Sequence, residues 1–125
     1  MAVTHPTAVR TGIANHVVDQ LDEGTPPGNL VFRTSGDVEV ATCPFSATAF
    51  GAAANGVATA AAITSDTSAT GGTVAKATLE NAAATAKINC SVTATGGGGD
   101  IEMSSVSVSA GQTVSVSSLT YTACP

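Results

Sequence analysis

The sequence predicts a mainly β protein: a single antiparallel β-sandwich, jelly-roll or barrel-like domain of about eight strands with one N-terminal α-helix. Three observations support this fold class. The length of 125 residues suits one domain with one hydrophobic core. Short runs alternate between apolar and polar residues, most regularly at positions 86–95, as half-buried strands do. Glycine, proline and asparagine separate these runs where turns are expected.

Residues 1–27 are expected to form an N-terminal arm and an amphipathic helix packed on the body, and residues 28–125 the β-sandwich body. Pro6 suits the first helical turn, and Gly24 suits the stop. An apolar stripe recurs at steps of four, and Ala14 and Val18 widen it: Val9, Ile13, Val17 and Leu21. The polar face carries Arg10, Asn15, Asp19 and Asp22. This helix should cover one face or an open end of the sheet, or else dock on a neighbouring subunit.

The first strands are predicted from residue 29 onward. Residues 29–34 and the run from Val38 should form a hairpin, because Ser35-Gly36-Asp37 is a turn sequence. Pro44 excludes a central-strand position. Asn55-Gly56 predicts a tight turn into a strand of small residues at 57–63.

Four more segments complete the expected body. Residues 64–72 are polar and predict a loop, and residues 73–80 predict a strand. In that strand Ala75, Ala77 and Leu79 point inward and Lys76, Thr78 and Glu80 outward. The strand at 86–95 is followed by a hairpin loop at Gly96–Gly99, strands near 101–103 and 106–108, and a closing strand at 114–121.

The low charge of the chain points to a covered or neutral surface. Only 10% of the residues are charged, against about 25% in a typical soluble domain. The outward positions are mostly Ser, Thr, Asn and Gly, so either other subunits cover the surface or it must be neutral for another reason. The net charge of −5 excludes a phosphate-tracking patch, so no nucleic acid is expected. No run approaches the roughly 20 apolar residues of a membrane span, and the start does not resemble a secretory signal.

The titratable residues predict no catalytic or metal chemistry. Their spacing matches no metal-ligand pattern, so no cofactor is expected: His5, His16, Cys43, Cys90 and Cys124. A Cys43–Cys124 bridge stays open, although assembly in a host cytoplasm favours three reduced thiols. Calcium binding and glycosidase chemistry are the functional alternatives for two carboxylate pairs, Asp37 with Glu39 and Asp100 with Glu102, but solvated carboxylates beside turns fit better. We therefore expect a protein that is not an enzyme.

Three runs carry a family resemblance: Phe45-x4-Phe50-Gly-Ala-Ala-Ala-Asn-Gly-Val, Gly98-Gly-Asp-Ile-Glu-Met and Ala110-Gly-Gln-Thr-Val-Ser-Val-Ser-Ser-Leu-Thr-Tyr121. Over residues 28–122 the chain resembles small structural proteins from the virion-gene clusters of tailed bacteriophages. The resemblance implies a capsid decoration (cement) protein on the capsid surface, which binds the major capsid protein and itself as a homo-oligomer. A tail- or fibre-associated module for host attachment, or a carbohydrate-binding module, is the alternative.

For such a role, the helix and the hairpin at 28–40 are expected to face the capsid or a sister subunit, and the loops at 64–72 and 96–100 to project outward. The residues predicted to make the contacts are Val9, Ile13, Val17, Leu21, Phe32 and Arg33.

Overall fold

The computed structural model describes residues 3–24 and 27–123 of the chain. This part contains one α-helix, a short 3₁₀ turn and nine strands. The helix is α1 (Thr7–Asp19), and the turn is Gln20–Asp22. The strands are β1 (Asn29–Arg33), β2 (Glu39–Pro44), β3 (Val57–Thr59), β4 (Gly72–Thr73), β5 (Lys76–Glu80), β6 (Ala86–Ala94), β7 (Ile101–Met103), β8 (Ser107–Val108) and β9 (Thr120–Thr122).

The described strands form three sheets. One sheet has five strands in the order β2-β1-β5-β6-β7, while β3 pairs with β9 and β4 with β8. The pairs are antiparallel except β6–β7, which is parallel. The predicted mainly β class with one helix is confirmed. The predicted single antiparallel sandwich of about eight strands is not the arrangement found.

Two predicted strands are much shorter than expected, which explains part of this difference. The run at 57–63 contributes Val57–Thr59, and the run at 114–121 contributes Thr120–Thr122. Upstream of β9, Val114 exchanges two backbone hydrogen bonds with Asp66, of 2.8 and 2.9 Å, without extending into a strand. Alanine and serine side chains bury little apolar area when they lie on a sheet. The alternating pattern in these two runs therefore stabilises a strand only weakly.

The parallel β6–β7 pair corrects the predicted hairpin at Gly96–Gly99. Parallel neighbours normally need a crossover of about a dozen residues or more. Here the chain turns back within residues 95–100, so that Val92 pairs with Ile101. Glycine makes the tight return possible, because a Cβ on Gly97 would lie 2.6 Å from the Thr93 Cβ.

The hydrophobic core lies on one face of the five-stranded sheet and centres on β1. Leu30, Val31 and Phe32 are all buried, so β1 is covered on both faces. Antiparallel partners on both sides, β2 and β5, satisfy its backbone. A Cβ on Gly28, just before β1, would overlap the Glu80 carbonyl oxygen, so only glycine fits that close approach.

The predicted turns at 35–37 and 55–56 are confirmed. The β1–β2 hairpin closes with a hydrogen bond from Thr34 N–H to the Val38 carbonyl, 2.9 Å, and Asp37 adopts a φ of 68°. Asn55 and Gly56 both have positive φ values, 53° and 77°, as the tightest two-residue hairpin turn requires. Turn chemistry thus identified these two reversals correctly.

Helix α1 lies against β3 and β9, with only one side of the predicted apolar stripe buried. Ala14, Val18 and Leu21 are buried, whereas Val9 is 46% exposed. The body-facing side also carries polar side chains, which accept backbone N–H groups of residues 49–56. Asp22 accepts from Ala49 (2.9 Å), Asn15 from Ala53 (2.8 Å) and Thr11 from Gly56 (3.0 Å). The predicted polar face therefore supplies part of the docking, because buried backbone donors need acceptors.

Candidate interaction surfaces

The outward side of α1 presents the accessible part of the predicted contact stripe. Val9 is 46% exposed, and Ile13 and Val17 are half-buried. Leu21 is fully buried at the end of the helical segment. The side chains of Val9, Ile13 and Val17 therefore form a small apolar row on an otherwise polar helix surface. This row, called the outward row of α1 below, is accessible to another molecule.

The two predicted contact residues on β1 have different environments. Phe32 is 2% exposed and belongs to the core, so its side chain is not available to a partner. The Arg33 side chain runs over the opposite face of the sheet and is 25% exposed. Its guanidinium donates to the Glu80 carboxylate at 2.8 Å and to the Thr78 hydroxyl at 3.2 Å.

This arginine explains why the predicted outward face of β5 is wrong in part. Thr78 and Glu80 are 8% and 5% exposed, although the alternation places them on the side facing away from the core. The Thr78 hydroxyl donates to the same Glu80 oxygen at 2.7 Å. A buried carboxylate needs such partners, because an unpaired charge away from water is costly. The only signal in the sequence was the presence of Arg33 and Glu80 on two different predicted strands. No local sequence pattern indicates that these two residues form a pair.

A second ion pair lies beside this network on the same sheet face. Lys76 Nζ is 2.8 Å from Asp37 Oδ1, and this contact holds the pKa of Asp37 below its ordinary value. A groove of about 480 Å³ is lined by both residues and by Thr78, Asn89 and Ser91. The face is therefore polar and carries its charges as pairs.

A cleft of about 430 Å³ separates β6 from β9. One wall is formed by residues 88–90 and the other by residues 119–122, and Asp100 lies at the rim of the same cleft. Its apolar lining includes Phe50, Leu79 and Ile88. Neither the alternation of β6 nor the turn signals indicate this cleft, because it depends on where β9 settles.

The acidic pair Asp100 and Glu102 stabilises the glycine loop. Asp100 accepts from the Ser91 N–H at 2.9 Å and from its hydroxyl at 3.1 Å, and these bonds hold its pKa below the ordinary value. Glu102 accepts from the N–H groups of Gly96 and Gly98. The second pair is also engaged: Asp37 with Lys76, and Glu39 with the hydroxyls of Thr42 and Thr70. Both pairs lie beside turns as predicted, but their carboxylates bond to groups of the chain, where the prediction was solvation.

The described cysteines lie in apolar surroundings. Cys43 is buried and contacts the Val114 carbonyl at 3.6 Å, while Cys90 is half-buried beside the cleft. Burial raises the pKa of both thiols, which disfavours the nucleophilic thiolate. The Cys43–Cys124 pairing falls on a residue outside the described part. Within residues 3–24 and 27–123, no group of three or more His, Cys, Asp or Glu residues is placed to hold a metal ion.

Comparisons with known proteins give no match: no protein-family profile, no curated protein and no solved structure is significantly similar to the chain. In the described segments, no helix has both the length and the apolar character that a membrane crossing requires. The properties of the surface itself therefore have to support any functional proposal.

Proposed function

We propose that this chain is a structural protein of a bacteriophage virion, a capsid decoration protein that binds the assembled head and stabilises it against internal DNA pressure. It acts without catalysis, on the capsid surface, through contacts with the major capsid protein and with further copies of itself. The observation that carries the proposal is a hydroxyl-rich exterior with few charges, on which three of the four basic residues form ion pairs within the chain. The sequence resemblance over residues 28–122 is the reason for proposing a bacteriophage virion as the assembly.

Each of the four basic residues, all in the described part, has a partner in its own chain. Arg33, Lys76 and Lys87 pair with Glu80, Asp37 and Glu23, each at 2.8 Å. Arg10 donates to the Ala123 carbonyl at 3.4 Å. The exterior thus has little unpaired positive charge for binding an acidic ligand.

A surface of this kind suits wide protein contacts. Association through small residues and hydroxyls contributes a modest binding free energy per unit of buried area. When many copies bind one particle, these contributions add up. The polar side of β6 fits this description, because Asn89 and Ser91 are exposed and uncharged. The low charge is then explained by partners that cover the surface.

We place the capsid-facing contact on the outward row of α1, and Arg33, on the opposite face of the five-stranded sheet, is a separate contact. Val9 and Ile13 are the accessible members of the row. Leu21 and Phe32, which were predicted with them, support this surface from inside the core.

A carbohydrate-binding role is the weaker candidate because sugar sites commonly use exposed aromatic rings. Phe45, Phe50 and Phe32 are at most 4% exposed, and Tyr121 is half-buried in the cleft. A groove of about 390 Å³ contains many serines, but the aromatic ring in its lining belongs to buried Phe32. The following experiment also distinguishes the capsid role from the tail-associated alternative.

The test compares particles prepared without the protein, with the wild-type protein and with the double variant Val9→Asp/Ile13→Asp. The wild type should raise the temperature at which DNA is released and the resistance to chelator, and the double variant should fail to bind. Thr67→Asp, in the loop at 64–72, adds one exposed charge elsewhere and should behave as wild type. Equal rupture temperatures with and without the protein would refute the cement role. Normal heads that no longer adsorb to host cells would favour the tail role.

A further inference from the structure

The Asn55-Gly56 turn combines a reactive pair of residues with a fixed backbone. Because glycine has no Cβ, its nitrogen is the least hindered one that a peptide bond can present to a preceding asparagine side chain. Asn55 is exposed with a φ of 53°, and Gly56 is buried with a φ of 77°. Ala54 and Val57 exchange two backbone hydrogen bonds of 2.9 Å across the turn. The asparagine side chain is thus in water, while the glycine nitrogen lies inside the protein.

Three contacts hold the backbone of Gly56. Its N–H donates to the Thr11 hydroxyl oxygen at 3.0 Å, and its carbonyl accepts from the Ala123 N–H at 2.9 Å. The Arg10 side chain lies over its Cα, since a Cβ added to Gly56 would lie 3.0 Å from the Arg10 Cβ and 3.2 Å from its Nε. Two of these contacts come from α1, so the helix covers the turn.

Asparagine followed by glycine loses its side-chain amide in water without an enzyme. The glycine nitrogen attacks the asparagine Cγ and forms a new N–Cγ bond. The side-chain nitrogen leaves as ammonia and takes the proton that the glycine nitrogen gives up. Water then opens the five-membered imide at one of its two carbonyls, which yields aspartate or isoaspartate. Water is the only co-reactant, and no electrons are transferred.

The contact with α1 opposes the first step of this reaction. For the attack, the peptide between Asn55 and Gly56 must rotate until its nitrogen faces the Asn55 Cγ. The hydrogen bonds to Thr11 and Ala123 fix the peptide planes on both sides of the Gly56 Cα. The reaction therefore requires a local opening in which α1 leaves the turn, and openings of this kind occur without global unfolding.

We infer that Asn55 is a site of spontaneous deamidation and that the docking of α1, through the Thr11 hydroxyl, sets its rate. Both products place a carboxylate at the turn, and isoaspartate also adds one methylene group to the main chain. The added methylene displaces the Gly56 N–H from Thr11. Modification thus weakens the helix contact that delayed it, and the change is irreversible. The inference does not depend on the proposed virion role and holds or fails on the purified chain alone.

The first test compares folded protein in buffer with unfolded protein in urea, both incubated at the same mildly alkaline pH. Peptide mass spectrometry follows the mass gain of about 1 Da at Asn55, and an isoaspartyl methyltransferase labels the isoaspartate. Deamidation should be at least about tenfold slower in the folded protein, because it requires a local opening. Equal rates would contradict control by the fold. An Asn55 that stays intact under both conditions would overturn the site itself.

The second test removes the hydroxyl that holds the glycine. Thr11→Val should raise the rate in the folded protein about fivefold, because valine has a similar shape but offers no acceptor to the Gly56 N–H. Thr11→Ser keeps the oxygen and should stay close to the wild type. Thr7→Val is the matched control, since Thr7 is exposed one turn earlier on α1. No acceleration in Thr11→Val, or the same acceleration in Thr7→Val, would overturn the role of the helix.

Amide exchange separates local opening from global unfolding in the same variants. In Thr11→Val, exchange should speed up at Gly56 and stay unchanged at Phe32, which is buried in the core. A matching rise at Phe32 would mean that the variant deamidates from the unfolded state, contrary to the inference. Deamidated wild type, separated by ion exchange, should show faster exchange at Ala53, whose N–H also bonds to α1. Unchanged exchange there would contradict the weakened docking.

Discussion

The two halves of the five-stranded sheet show how one sequence pattern leads to two kinds of surface. In β1 and β5 the residues on both faces are covered, and the Arg33–Glu80 pair closes the polar side. In β6 the same alternation leaves Asn89 and Ser91 exposed and only half-buries Ile88 and Cys90. The difference lies in what packs against each strand, since the residue types are similar. The covered half holds the fold together, and the open half presents uncharged polar side chains at the surface.

The largest effect on stability is expected from a substitution in the core beneath β1 and β5, the covered half of the sheet. Phe32→Ala should lower the free energy of unfolding by about 3–5 kcal/mol, because a fully buried ring is removed from the core. Ile88→Ala, on the half-buried strand, should cost about 1–2 kcal/mol, since less apolar area leaves water there on folding. Urea denaturation of both variants measures the contrast. Equal losses would show that the two halves are equally packed.

The next effect tests how the polar side of the covered half is held. Glu80→Leu should cost about 2–3 kcal/mol, because it leaves the partly buried Arg33 guanidinium without its carboxylate. The double variant Arg33→Met/Glu80→Leu should return to within about 1 kcal/mol of the wild type, since no unpaired charge remains. A double-mutant cycle by chemical denaturation checks both values. An additive double variant would mean that the pair does not act as a unit.

A smaller effect concerns the return from β6 to β7 in the open half. Gly97→Ala should destabilise by about 1–2 kcal/mol and speed amide exchange at Thr95, because the added Cβ collides with Thr93. Gly12→Ala provides the control, since no atom lies within 4 Å of a Cβ there. It should stabilise α1 by about 0.5–1 kcal/mol. If Gly97→Ala leaves exchange at Thr95 unchanged, the close packing of the loop is not needed.

The smallest effect is a local dependence on pH. The Ser91 hydrogen bonds hold the pKa of Asp100 below the ordinary 3.8, so their contribution is present above that pH and is lost as the pH falls through the lower folded value. The amide signal of Ser91, followed by NMR from pH 6 to pH 2, should therefore titrate with a midpoint below 3.8. Asp100→Asn should abolish that titration. A midpoint at or above 3.8 would contradict the assignment.

Local patterns predicted much of the fold, while relations between distant segments decided the rest. Turn residues gave the reversals at 35–37 and 55–56, and alternation gave β1, β5 and β6. The buried Glu80 was missed because its partner is 47 residues away. The parallel β7 was missed because a short glycine loop ordinarily indicates a hairpin.

For the candidate surfaces, sequence reasoning selected six contact residues and placed four on accessible positions: Val9, Ile13, Val17 and Arg33. In α1 it found the buried members of the apolar stripe, Ala14, Val18 and Leu21, but it missed the polar docking contacts. Steps of four identify an apolar stripe, but they do not show that Thr11, Asn15 and Asp22 accept backbone donors of the body. The cleft between β6 and β9 could not be predicted for the same reason, because it depends on where β9 packs.

The way α1 holds residues 49–56 has a consequence for how this protein tolerates change. The side chains of Thr11, Asn15 and Asp22 accept hydrogen bonds from main-chain N–H groups of that segment. These hydrogen bonds do not depend on the identity of the segment's exposed side chains. Exposed positions such as 51, 52 and 54 are therefore free to vary in size and polarity. Substitutions confined to these positions should leave the helix contacts intact, whereas Ala49, Phe50 and Gly56 in the same stretch are buried.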